Sequence, residues 1–178
     1  MTPIPAQTTV PTPSAIAAYL PGAYFHDSWV ITAGEPDLSA LGQFLKALQA
    51  TPPWVNMLMT IRNRMVAALG LKNLGTLSRI DPAKPASAYL PGDRVGIFTL
   101  IANTADEVLV GDKDKHLNVV LSVHKAAEAH SGRVWVTVTT VVHVHNWFGA
   151  LYMLPVTPMH RIISKTVLKA VGRVSKVA

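Results

Sequence analysis

The sequence predicts an α+β fold in which a curved antiparallel sheet packs on a long C-terminal helix, with two helices inserted after the first strand. Three observations carry this expectation. From Arg133 to His145 the chain alternates, with Val134, Val136, Val138, Val142 and Val144 on one side and Arg133, Trp135, Thr137, Thr139, His143 and His145 on the other. That is the two-residue period of a strand with one buried face. Shorter stretches of the same period lie between Val95 and Val123, separated by polar turns, and read as an antiparallel meander. Beyond the long strand, Ile162, Ile163, Thr166, Val167, Ala170, Val171 and Val174 recur at helical spacing, so the sheet is followed by a helix with its own apolar face.

The elements follow in order. Residues 1–12 contain Pro3, Pro5 and Pro11 and read as a flexible or polyproline-like arm, while 13–178 read as one domain. Ser14 caps a short helix ended by Pro21-Gly22, and a strand runs from Phe25 to Thr32. Asp37 caps a helix with Leu38, Leu41, Phe44, Leu45 and Leu48 on one side. Thr51 and Pro52 open a second, carrying Trp54, Leu58, Ile61, Met65 and Leu69 and stopped by Gly70. A looser region follows, with one short strand expected near Leu77 to Ile80. Strands are then expected at Val95 to Ala102, at Glu107 to Val110, and from Leu117 to Val123 after the turn Gly111 to Lys115. The polar loop Glu128 to Gly132 leads into the long strand. Thr157 and Pro158 supply the start signal of the last helix.

Composition narrows the function classes. At 178 residues the chain suffices for one core burying roughly 70% of its unfolded surface. Hydrophobic residues make up 49% and charged ones 15%, a balance that requires a large interior or an apolar cavity to be lined. There is no cysteine, which removes disulfides, thiolate metal sites and cysteine nucleophiles and fits a reducing, cytoplasmic setting. The N-terminus has no basic start and several prolines, unlike a secretory signal. The uncharged run from Val134 to His160 is long enough to raise a membrane span. Its alternation, threonines and histidines instead point to a half-buried strand, so no transmembrane segment is expected.

Local motifs extend the reading. Leu20-Pro21-Gly22, Pro91-Gly92-Asp93-Arg94-Val95-Gly96, Asp114-Lys115-His116-Leu117, and His145-Asn146 followed by Gly149, Tyr152 and Pro155 together resemble the bacterial family catalogued only as domain of unknown function 2867, over about residues 13 to 172. The order of elements is similar to the helix-grip or START-like (SRPBCC) superfamily of polyketide-cyclase-like and lipid-transfer-like proteins. The resemblance implies a fold and no catalytic residue. Fusions within the family to NAD(P)-binding oxidoreductase domains imply, at most, an interaction module for such a partner.

The residues themselves offer little chemistry. His143 and His145 share a strand face at a spacing that can bring two imidazoles to one metal, with His116 or His124 as third ligand. The glutamate that usually completes such a centre is missing, so the pair reads as cross-strand hydrogen-bonding residues and no metal or other cofactor is expected. Asp27, Asp106, Glu107, Asp112 and Asp114 read mostly as loop or turn residues. No Gly-x-Ser-x-Gly elbow, Gly-x-Gly-x-x-Gly turn or Walker loop occurs. The net charge of +6 and the spacing of Arg161, Lys165, Lys169 and Arg173 raise phosphates or an anionic membrane, but the stripe reads more simply as the solvated face of a helix, and no nucleic acid is expected.

A sheet that grips a helix leaves room for an apolar chamber between them. The leading expectation is therefore a cytoplasmic protein that binds a small apolar or amphipathic molecule there. Its candidate walls are Met57, Ile61, Phe98, Leu100, Val119, Leu121, Val136, Val138, Ile163 and Val167, with His124, His143 and His145 as polar candidates. The rival is a polyketide-cyclase-like enzyme in which a cavity histidine acts as general acid or base. One geometric feature separates them: whether a histidine points into the space under the helix.

Overall fold

Alternating side chains build the centre of the molecule. The computed structural model describes residues 3–67 and 80–174, without the side chains of 65–67. Strands β1 (Ala6–Gln7), β2 (Phe25–Thr32), β3 (Arg94–Val95), β4 (Phe98–Asn103), β5 (Glu107–Lys113), β6 (Leu117–Ala127) and β7 (Val134–Val144) form one antiparallel sheet in the order β1-β2-β7-β6-β5-β4-β3. The meander from β3 to β7 is local in sequence, whereas β2 returns to pair with β7. Helices α1 (Ala40–Gln49) and α2 (Pro53–Ala67) follow β2, and α3 (Trp147–Leu168) follows β7. The expected Gly70 stop, Leu69, and residues 77–79 of the short strand lie outside the described residues, as does the side chain of Met65.

Register decides which side chains are inside. Ile31 pairs with Val136, Trp29 with Val138, and Val123 with Val138. On this inner face Ile31, Val123, Val136, Val108, Val110 and Leu100 are buried against Leu41, Phe44 and Leu48 of α1 and against Leu168 and Val171. Val136 thus faces the interior, as its alternation requires.

The outer face departs from the expectation of a single buried side. Residues 10–23 fold across it, and Ile16 packs on Leu109, Val120 and Val141. Thr137 and Thr139 are consequently only 7% and 1% exposed. Burying them is tolerable because their neighbours supply hydrogen bonds, as when Ser28 Oγ and Thr139 Oγ1 meet at 2.9 Å. Farther out, Ala6–Gln7 pair with Trp29 and Val30 at the sheet edge, a strand that the Pro-rich composition gave no reason to expect.

Helix boundaries show the same mixture. Ser14 caps its 3-10 turn as expected, while α1 is capped by Ser39 rather than Asp37, its Oγ accepting from Gly42 N at 3.1 Å. Helix α3 begins about three turns before Thr157, capped by Asn146, and ends at Leu168. Pro155 and Pro158 lie inside it, against the usual rule for helix interiors. Both are on the exposed side, where water can meet the carbonyls they leave unpaired. After Leu168 the chain turns into the core, and Val171 O accepts from Gly34 N at 2.9 Å.

Candidate functional site

Successive inner-face residues of β2 meet successive residues of α3. Phe25, Asp27 and Trp29 share one side of the strand by its two-residue period. The Phe25 ring packs edge-on against His160, centroids 5.6 Å apart, with the Arg161 guanidinium 6.0 Å from its centre. Asp27 Oδ1 lies 3.0 Å from His160 Nε2. Lys165 Nζ stands 4.4 Å over the Trp29 ring. The interface therefore alternates cation over ring, hydrogen-bonded carboxylate and imidazole, cation over ring. Two of the four stripe residues read from sequence as solvated, Arg161 and Lys165, rest on aromatic rings.

Asp27 is the buried centre of this set. Trp29 Nε1 donates to its Oδ2 at 3.0 Å, so both carboxylate oxygens are engaged. Burial pushes the carboxyl up, but the His160 hydrogen bond and charge, the Trp29 N–H and nearby Arg161 outweigh it and hold Asp27 below its ordinary value. An ionised Asp27 accepts the Nε2 proton of His160, which leaves Nδ1 as the second ring nitrogen. Among the described residues Nδ1 has no hydrogen-bond partner.

Ser164 Oγ also approaches Nε2, at 3.2 Å. Serine, histidine and aspartate together invite comparison with a hydrolytic triad, but the geometry forbids it. In a triad the two partners occupy different ring nitrogens. Here both share Nε2, whose single proton goes to Asp27, so Ser164 cannot hand its own proton to His160.

The expected walls divide into three groups. Phe98, Leu100 and Val136 are buried in the solid core under α1. Val119, Leu121, Val138 and Val167 are half-buried beside that core, and Ile163 is half-buried on α3. Met57 and Ile61 are instead largely exposed, at 58% and 46%. The half-buried group adjoins the Asp27–His160 pair, because Trp29 pairs with Val138 and Asp27 with Thr140, itself beside Leu121.

None of the three polar candidates faces this space. His124 lies on the outer face opposite Glu107, His143 Nε2 meets Tyr19 O at 2.8 Å, and His145 is exposed with its N–H on His116 O. Glu107 centres a polar seam beneath the N-terminal segment, accepting from Ser14 Oγ at 2.5 Å, Ser122 Oγ at 2.6 Å and Ala15 N at 2.8 Å. Partial burial raises its pKa, but these donors together with His124 outweigh it, so the net shift is downward. Reading by neighbouring residues missed His160. A signal was present: Asp27 shares parity with Trp29 and Ile31, and an acid on a buried strand face demands a partner.

Surface hollows also open elsewhere on the described residues. One of about 360 Å³ is lined by Lys46, Gln49, Ala50 and residues 170 to 174. Another of about 200 Å³ opens at the sheet edge between Thr8, Thr9 and Asp27.

With this geometry established, the family model for proteins of unknown function, DUF2867, matches residues 19–167. The chain belongs to this family. No curated protein matches it.

The motifs on which the sequence resembles DUF2867 hold structural positions in this chain. His116 Nδ1 lies 3.0 Å from Asn146 Oδ1, which also accepts from Gly149 N at 3.1 Å. Asn146 Nδ2 donates to Lys115 O at 3.3 Å, and the His116 and Phe148 rings meet at a tilt, centroids 4.8 Å apart. A Cβ on Gly149 would stand 2.4 Å from His116 O. The β5–β6 turn therefore clamps the start of α3. In Pro91-Gly92-Asp93, Gly92 takes a φ of 96° and Asp93 Oδ2 accepts from Leu90 N at 2.9 Å and Lys84 Nζ at 2.8 Å.

Proposed function

We propose that this DUF2867 protein binds a small apolar or amphipathic molecule between the inner sheet face and α3, with His160 as its polar anchor. The observation that carries the reading is the Asp27–His160 pair beside a half-buried apolar surface of Val119, Leu121, Val138, Ile163 and Val167. Ligand sites are mostly apolar with a few fixed polar groups, and Asp27 fixes the imidazole so that Nδ1 can meet a hydroxyl, amide or carboxyl group. The reading takes the arrangement as a START-like helix grip of bacterial, cytoplasmic type, supported by α3 lying against the sheet and by the cysteine-free composition.

Native mass spectrometry of the purified protein tests it. A retained small molecule, or stoichiometric uptake of an added long-chain fatty acid, is expected in the parent chain and lost or weakened in His160→Ala. No uptake by either protein, or equal uptake by both, overturns the assignment.

A second reading, proton transfer during turnover, is favoured by the same Asp27-held imidazole, since a carboxylate that fixes the ring on one nitrogen presents the other to a bound molecule. It predicts that His160→Gln keeps ligand affinity while chemical change of the retained molecule stops.

A further inference from the structure

Helix α3 is apolar on the side away from the sheet. At 100° per residue, Trp147, Leu151, Leu154, Pro158 and Ile162 share one outward stripe. Trp147 is 75% exposed, Leu154 66%, and Leu151 and Ile162 are each 52% exposed. The inward side carries the polar His160 and Ser164. A helix on the surface of a soluble domain ordinarily has the reverse arrangement.

Helix α2 repeats the pattern nearby. Trp54, Met57 and Ile61 recur at three- and four-residue spacing and are exposed. The two helices are joined by Arg62, whose Nε donates to Tyr152 OH at 3.0 Å and whose guanidinium lies 5.6 Å from that ring.

Charge identifies the occupant. Residues 38–80 and 129–178 contain no aspartate or glutamate, although together they carry most of the lysines and arginines. Arg64, Arg161, Lys165 and Lys169 are all on the exposed parts of these helices. A second copy docked symmetrically on this stripe would set cations against cations with no carboxylate on either helix, which is unfavourable. Nucleic acid would take the cations but leave leucine, methionine and isoleucine against phosphate and sugar. An anionic lipid surface takes both, with the apolar stripe in the acyl boundary and the cations among the headgroups.

We infer that α3, with α2 beside it, docks this protein on anionic membranes at headgroup depth. Exposed Trp147 and Trp54 suit the interface because an indole is apolar in body and polar at its N–H. Pro155 and Pro158 free carbonyls on the same side, and these need water, which holds the helix at the interface rather than deeper. The apolar contacts of this inference use only outward residues, while Arg161 and Lys165 are exposed and also rest on Phe25 and Trp29.

Flotation of the full chain with phosphatidylcholine vesicles, with and without phosphatidylserine, tests it, together with tryptophan emission. Binding to the anionic vesicles with a blue shift is expected, and much weaker binding to phosphatidylcholine alone. Leu151→Gln with Leu154→Gln should weaken binding at least about tenfold, since each buried leucine is worth more than about 1.4 kcal/mol. Both residues are exposed, so the thermal transition should be unchanged. Absence of binding to anionic vesicles, or full binding by the double variant, overturns the inference. So does tighter capture by single-stranded DNA than by vesicles, or a dimer in light scattering that the double variant abolishes.

Discussion

Asp27 Oδ1 and His160 Nε2 stand 3.0 Å apart although 133 residues separate them in the chain. The contact links the first long strand to the last helix, and it puts a carboxylate where apolar neighbours Trp29 and Ile31 share its side of the strand. Its chemical consequence is directional. A buried acid that is ionised needs a donor on each oxygen, and here His160 and Trp29 provide them.

Acid should therefore unfold the protein partly through two carboxyls. Asp27 and Glu107 both ionise more readily in the folded chain than in the unfolded one. Their contribution is fully present above the ordinary carboxylate range and is lost as pH falls below about 4, through the lower folded values. Denaturant unfolding of Asp27→Asn and Glu107→Gln should show a flatter decline of stability below that pH than the parent shows. A decline as steep as the parent's in both variants would mean that neither carboxylate is held ionised by its donors.

Val136 and Val138 should differ. Val136 is fully buried, whereas Val138 is only partly buried beside the core. Val136→Ala should cost about 1 to 3 kcal/mol from lost burial and a residual cavity, and Val138→Ala less. Chemical denaturation gives both values directly, and the opposite order would reverse the placement of the half-buried surface.

The clamp at the start of α3 should behave as structure rather than chemistry. Asn146→Ala removes a cap and its bond to His116, and should cost about 1 kcal/mol. Gly149→Ala puts a methyl against the His116 carbonyl, a backbone atom that cannot swing aside, and should cost about 1 to 3 kcal/mol. Neither should alter fatty-acid uptake once the protein is folded.

The final helix should be indispensable. Leu168 and Val171 belong to the main core, and Gly34 donates to Val171 O. A chain ending at His145 should lose its cooperative thermal transition and sharp near-ultraviolet dichroism. By contrast Lys169→Gln should be nearly neutral, while Arg161→Gln and Lys165→Gln should each cost about 0.5 to 1 kcal/mol through the lost ring contacts. A chain ending at His145 that keeps both signals would detach α3 from the fold.

Local pattern determined much of this protein. The Phe25–Thr32 strand, the Ser14 cap, the second helix, expected to open at Thr51-Pro52 and beginning at Pro53, and the inward side of β7 are all legible, because strand parity, capping and proline chemistry act over a few residues. Tertiary structure decided the rest. Thr157 and Pro158 mimic a helix start, yet α3 begins at Trp147 because His116, from a distant turn, holds Asn146. Thr137 and Thr139 alternate like solvated residues, yet residues 10–23 cover them. His124 and His143 alternate like candidates for a site, yet the histidine under the helix is His160. Its role depends on Asp27, and no local periodicity records a pair formed across 133 residues.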